Sequence, residues 1–187
     1  TLSGVTANNK VYDTTTNASL SRQGSATVLL GNSTAADGSL ASASAYSAGY
    51  TVSSAGFSSA TAGTGKTVSL SRALTDTTNY TLAVGSQSTT TADIAKANVT
   101  LSGVTANNKV YDTTTNARLR SQGRATVTLG NAAAANGSLA SASAYSAGYT
   151  VSSAGFANAT AGAGKTVNLT TVLTDTANYT LAVGSQS

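Results

Sequence analysis

Thr1 to Ser88 return as Thr100 to Ser187 at a constant offset of 99, with no insertion or deletion. Of the 88 aligned positions, 16 differ. Eleven residues, Thr89 to Val99 (TTTADIAKANV), join the two copies. A period near 100 is too long for a solenoid, whose repeats run roughly 20–50 residues. It falls within the roughly 50–200 residues over which a domain commonly closes its own core. The chain therefore reads as residues 1–88, repeat domain 1; 89–99, a linker strand leading into domain 2; and 100–187, repeat domain 2. Beads copied end to end extend a molecule and multiply one surface, and they seldom add chemistry.

The residue inventory narrows the function classes. Cys, His, Met, Trp and Pro are all absent, the six acidic residues are all Asp, and ten Lys and Arg complete the charged set. Without His or Cys, the common transition-metal sites and nucleophile–base pairs lack their parts. General acid–base work would fall to Asp, Lys and Tyr. A non-enzyme with no cofactor and no metal is the expectation. The absence of Cys excludes a disulfide framework and suits a protein exported unfolded. No run approaches the ~18 apolar residues of a membrane helix, so no membrane insertion is expected. The chain starts in mid-repeat without a leader, as an excerpt of a longer protein would. The net charge of +4 divides as +1 in copy 1 and +3 in copy 2, with Asp93 and Lys96 of the linker cancelling. No dense basic stripe with neighbouring aromatics forms, so no nucleic-acid partner is expected.

Short β-branched or aromatic runs bounded by Gly, Asn, Asp and Ser mark strands. In copy 1 they are Leu2–Val5, Lys10–Tyr12, Ala26–Leu30, Tyr50–Ser53, Thr67–Leu70 and Tyr80–Val84, and Ile94–Val99 runs into the first strand of copy 2. Alternation puts Val68 and Leu70 on one face of a strand and Thr67 and Ser69 on the other. The same rule puts Tyr80, Leu82 and Val84 together. Many short strands at this spacing predict an all-β fold, with two tandem immunoglobulin-like β-sandwich domains as the architecture. Ser39–Gly49 alternates Ala and Ser as a strand would, yet Ser39 and Gly49 also suit the two caps of a short helix. A helix there would give a β-grasp-like fold with one short helix per unit.

Asp76 and Asp175 stand four residues before Tyr80 and Tyr179, with Leu82 and Leu181 two residues further on. The spacing fits a tyrosine corner, whose hydroxyl bonds to backbone while the ring packs in the core. It equally fits an Asx-turn ahead of a strand. These six residues are the expected structural turn and core positions. GTGKT at Gly63–Thr67 resembles the end of a phosphate-binding loop, but Ala60 stands where that motif requires Gly. A Gly-rich turn into a strand is the expected outcome. The Asp residues are too scattered for a calcium loop.

Two features are candidates for ligand contact. Tyr46 and Tyr145 sit four residues before Tyr50 and Tyr149, and an exposed ring there could stack on a sugar. Ser19, Ser21 and Ser25 become Arg118, Arg120 and Arg124 in copy 2; an unpaired buried Arg is costly, so this face is expected to be wet.

VTANNKVYDTTT, followed some fifty residues later by GTGKTVSL and then NYTL, resembles the YDG-type repeat of large filamentous-haemagglutinin-like bacterial adhesins, whose stalks also carry related MBG repeats. The resemblance covers Val5 to Leu82 and Val104 to Leu181, and ADIAKANVTLSGV is similar to the strand that leads into such a unit. The family's Tyr-Asp-Gly reads Tyr12-Asp13-Thr14 and Tyr111-Asp112-Thr113 here. A Gly at that point favours a left-handed turn, which Thr enters only under strain. The resemblance implies no catalytic residue. It implies a non-catalytic stalk or spacer on the bacterial cell surface, extracellular and of Gram-negative type, that projects a distal region in cell attachment or biofilm formation. The implied partners are neighbouring repeats of the same chain, with polysaccharide or a host-cell surface beyond them. The alternative is that each repeat is a weak glycan- or matrix-binding module acting by avidity.

Overall fold

The computed structural model describes residues 1–26, 49–128 and 148–182. Among them there is no helix and there are eleven strands: β1 (Leu2–Ala7), β2 (Lys10–Val11), β3 (Leu20–Ala26), β4 (Tyr50–Phe57), β5 (Gly63–Leu74), β6 (Thr89–Ala95), β7 (Ala97–Ala106), β8 (Leu119–Thr128), β9 (Tyr149–Phe156), β10 (Val167–Leu173) and β11 (Tyr179–Leu181). The protein is all-β. Ser39–Ala48, where strand and helix compete in the sequence, lies outside the described residues, as do Thr27–Leu30.

The chain forms two compact units whose borders differ from those of the copies. Unit 1 comprises Thr1–Lys10 and Thr14–Ile94; unit 2 comprises Val11–Asp13 and Ala95–Ser187. The linker is thus not a tether. Its first seven residues form β6, which pairs antiparallel with β5 through Thr89↔Ser69, Thr91↔Thr67 and Ile94↔Gly63. Its last three open β7. Lys96 alone lies between these strands.

Unit 1 carries a β1–β3 ladder and the sheet β2–β6–β5–β4. Its buried apolar side chains come from both: Leu2 and Val5 on β1, Phe57 on β4, Val68 and Leu70 on β5, and Ala92 and Ile94 on β6. The period-2 pattern of β5 is explicit, with Val68 and Leu70 buried between exposed Thr67, Ser69 and Ser71. Ile94 is only 2 % exposed. Withdrawing a side chain of that size from water contributes about 1.5–3 kcal/mol, and it does so for unit 1.

Unit 2 carries the sheet β11–β7–β8 and the ladder β10–β9. One core joins them: Ala97 and Val99 of β7, Val127 of β8, Leu173 of β10 and Tyr179 of β11, with Val11, Tyr12, Ala125, Tyr149 and Leu181 packed against it. β11 runs parallel to β7, with Tyr179↔Ala97, Thr180↔Asn98 and Leu181↔Val99.

One of the expected strands differs. Tyr80–Val84 is not a strand, and Val84 is fully exposed rather than sharing a core face with Tyr80 and Leu82. In copy 2 the same residues become β11, where Ala97–Val99 of β7 give them a partner. Of the strand expected over Ala26–Leu30 only Ala26 is described, and it lies in β3, whose start at Leu20 the sequence does not mark. Its residues, LSRQGSA, have weak strand propensity, and pairing with β1 imposes the conformation.

The β1–β3 and β7–β8 ladders contain the same glycine crossing. Gly24 and Gly123 have φ of +78° and +77°, and a Cβ on them would lie 2.4 and 2.5 Å from the carbonyl oxygens of Ser3 and Ser102. Only Gly fits that approach.

Candidate functional site

Tyr46 and Tyr145 lie outside the described residues. Arg118, just before β8, and Arg120 and Arg124, on β8, are exposed. No group of three or more acidic residues able to hold a metal ion occurs among the described residues, and none of their helices could cross a membrane, since there are none; a β-barrel is a separate matter.

The KVYDTTT segment is the most constructed surface feature. In copy 1, Lys10 Nζ donates to the carbonyl of Thr15 at 2.6 Å and to its hydroxyl at 3.1 Å, and it stands 5.5 Å from the centre of the Phe57 ring. In copy 2, Lys109 Nζ donates to the carbonyl and hydroxyl of Thr114 at 2.7 and 3.0 Å and lies 5.7 Å from the Phe156 ring. A lysine so engaged ties its own loop shut. Lys109 also pairs with Asp112 at 2.6 Å. That bond, with the Thr114 amide and hydroxyl, lowers the Asp112 carboxyl to about 2. At the turn, Thr14 and Thr113 both take φ of +65°. They occupy the left-handed conformation that the Gly of a Tyr-Asp-Gly sequence would adopt freely, and a β-branched residue held there is strained.

The adjacent apolar pair meets two fates. Val11 and Tyr12 belong to unit 2, where the Tyr12 ring meets that of Tyr179 edge-on, centroids 5.4 Å apart at 84°. The Tyr12 amide donates to the Ala95 carbonyl at 2.8 Å. Val110 and Tyr111 are instead 88 % and 61 % exposed.

The Asp–Tyr spacing resolves as an Asx-turn. Asp76 Oδ1 accepts from the amides of Thr78 and Asn79 at 3.0 and 3.1 Å, and its Oδ2 accepts from Asn79 Nδ2 at 2.8 Å. Asp175 repeats this with Ala177 and Asn178. Both carboxyls are lowered, chiefly by the Asn side chain and then its amide. Beyond the turn, Tyr179 is buried and Leu181 half-buried, while Tyr80 and Leu82 are both half-buried.

GTGKT enters β5 with no helix after it. Lys66 Nζ turns back onto Ser59 Oγ at 2.5 Å and Thr61 Oγ1 at 3.2 Å, and the Gly65 amide donates to Asp93 Oδ1 at 2.8 Å. Lys165 likewise bonds to Asn158 and Thr160. A phosphate-binding loop directs its lysine and amides outward at a helix start; here they are spent on the turn itself.

Three residues that hold unit 1 together were missed in the sequence. Arg72 Nη1 donates to the carbonyls of Ser86 and Gln87 at 2.7 and 3.0 Å. Gln87 bonds the Val5 amide and carbonyl through its side chain at 2.8 and 2.7 Å, and the Ser86 hydroxyl accepts from the Leu2 amide. The exchange of Arg72 for Thr171 between the copies was the available signal. In unit 2 a shallow groove of about 320 Å³ includes Thr171, Val172, Leu173, Tyr179 and Lys96 in its lining. The Thr171 hydroxyl is buried there without a hydrogen-bond partner. Lys96 Nζ is engaged with the Thr176 carbonyl at 2.6 Å. Arranged this way, the groove offers packing surface and no acid–base pair.

Residues 1–92 match the family model of the YDG domain. The match supports assignment to the YDG family. It takes in all of copy 1, which copy 2 repeats at all but 16 of 88 positions. The Lys, Tyr and Asp of the KVYDTTT segment within this match lie in the loop just described, and their visible contacts are structural. No curated protein and no solved structure matches the chain.

Proposed function

We propose that this chain is a non-catalytic stalk segment of a large secreted bacterial surface adhesin, related to filamentous-haemagglutinin-like proteins and MBG repeats, in which tandem YDG repeats hold a distal binding region away from the cell. The observation that carries the reading is the join between the copies. Ten of its eleven residues are strand, leaving Lys96 alone between β6 and β7. A chain pulled at both ends would load hydrogen-bonded ladders, as a spacer requires, and no slack tether would pay out first. In this reading each repeat is an immunoglobulin-like sandwich; the single core drawn from both sheets of unit 2 supports that architecture. The loop lysines are occupied by their own turns, which favours a passive surface over a ligand site.

The test is binding of the 187-residue chain to a glycan array and to bacterial surface polysaccharide, beside a Tyr46→Ala/Tyr145→Ala double variant and an Arg118→Ser/Arg120→Ser/Arg124→Ser triple variant. A spacer shows no saturable binding at high micromolar concentration. Saturable binding that either variant abolishes would replace the spacer with an adhesive module working by avidity.

A further inference from the structure

Val110 and Tyr111 form an adjacent pair of exposed large apolar side chains, whereas Val84 and Val172, also exposed, stand apart in the sequence. Their counterparts show what such a pair is for. VTANNKVYDTTTNA occurs in both copies, and the turn closes in the same way in both: Lys10 bonds to Thr15 and Lys109 to Thr114, and the Thr before each, Thr14 and Thr113, sits at φ +65°. The sequence and the closure of the turn are therefore equal, while Lys10–Val11 is strand and Lys109–Val110 is not. What differs is the surroundings. Val11 and Tyr12 pack on the core formed by Ala97 and Val99 of the linker and Val127, Leu173 and Tyr179 of the copy that follows. The backbone joins in, with the Tyr12 amide bonded to the Ala95 carbonyl.

We propose that Val110–Tyr111 is a docking element for one partner, a further copy of this repeat joined as Thr89–Val99 joins the present two. The Val–Tyr pair of each copy would then be core of the unit built by the next. The occupant is specified by the contacts already made in unit 2: a carbonyl equivalent to that of Ala95 for the Tyr111 amide, a core equivalent to Ala97, Val99 and Val127 for Val110, and a tyrosine equivalent to Tyr179 for the Tyr111 ring. The inference rests on unit 2 and not on what a stalk might carry.

The experiment compares the 187-residue chain with one extended by a further period, in which the sequence of Thr89–Ser187 is repeated after Ser187. Amide hydrogen exchange reads both. In the 187-residue chain the Tyr12 amide is protected and that of Tyr111 is not. In the extended chain Tyr111 becomes protected to the level of Tyr12, and Val110→Ser/Tyr111→Ser lowers the unfolding midpoint of the added unit while leaving that of the 187-residue chain unchanged. An added copy that folds with Tyr111 still unprotected overturns the proposal. An added copy that fails to fold also overturns it, because that copy has the same predecessor loop and linker that unit 2 has.

Discussion

The two copies are nearly the same text in different settings, and the differences in structure follow the setting. β5 runs twelve residues in copy 1, from Gly63, because β6 lies along its edge. Its counterpart β10 runs seven, from Val167, and pairs with β9 alone among the described strands. Val68 and Leu70 are buried, whereas Val167 and Leu169 are half-exposed. The asymmetry reverses at the other edge, where Tyr179–Leu181 is a strand and Tyr80–Leu82 is not. Strand propensity is thus not a property these segments own; it is conferred when a neighbour supplies the ladder and covers one face. The folding unit is consequently offset from the sequence repeat.

The strongest way to break this comparison is Ile94→Ala. Ile94 lies in the linker, yet it is a core residue of unit 1. Removing it should destabilise unit 1 by about 3 kcal/mol, with unit 2 unaffected. Two-transition denaturant unfolding, with each unit followed by its own amide signals, checks this. A loss confined to unit 2 would mean that the linker serves the following copy alone.

A glycine substitution probes what the copies share. Gly24→Ala and Gly123→Ala each force a Cβ against a carbonyl oxygen at positive φ, and each should cost about 2–3 kcal/mol in its own unit. Equal losses would show that the glycine crossing is independent of context; unequal ones would extend the asymmetry into the β1–β3 and β7–β8 ladders. The hydroxyls of Tyr50 and Tyr149 bond to the carbonyls of these same glycines, so the damage should also appear as line broadening of those two tyrosines.

Tyr12→Ala and Tyr111→Ala come next. The first removes a ring packed edge-on against Tyr179 and should destabilise unit 2 by about 1–2 kcal/mol, although it is a change in copy 1. The second removes an exposed ring and should fall within about 0.5 kcal/mol of no effect. Thermal unfolding of the two variants in parallel is sufficient; similar losses would contradict the division into units.

Much of this was open to sequence reasoning, and the boundary is instructive. Thr67–Leu70 was readable because β-branched and apolar residues alternate there, and the Asx-turns at Asp76 and Asp175 because that chemistry acts within three residues. The all-β class follows from such local signals. The fates of Val11 and Tyr12 were not readable, because identical letters at Val110 and Tyr111 have the opposite exposure. Arg72 was hidden for a related reason: its partners are carbonyls of Ser86 and Gln87, and a carbonyl leaves no mark on a sequence. β3 was missed because a ladder partner and Gly24, rather than its own polar residues, hold it extended.

At Thr14 and Thr113 the two settings make no difference to the backbone, so a change there should act alike in both. A left-handed L-residue costs roughly 1–2 kcal/mol, which Gly largely avoids. Thr14→Gly and Thr113→Gly should therefore each stabilise by about 1 kcal/mol, after allowance for the greater freedom of Gly in the unfolded chain. A destabilised variant would mean that the Thr side chain contributes more to the turn than its strain removes.

The smallest effect is the most local. Asp112 is held near 2 by Lys109 and the Thr114 amide and hydroxyl, whereas an unfolded Asp titrates near ~3.9. The folded value is the lower one, so the stability this carboxylate adds is present above about pH 4 and disappears as pH falls toward 2. The group is fully exposed, so the ion pair is screened and the change should be slight. Asp112→Asn removes the titration, and the difference in unfolding midpoint between this variant and the parent should shrink as pH falls through that window. High salt should shrink the Lys109 contribution at neutral pH and leave the amide bond to Thr114 in place. A residual difference that persists in salt would assign the turn's hold to the backbone amide, and loss of the whole difference would assign it to Lys109.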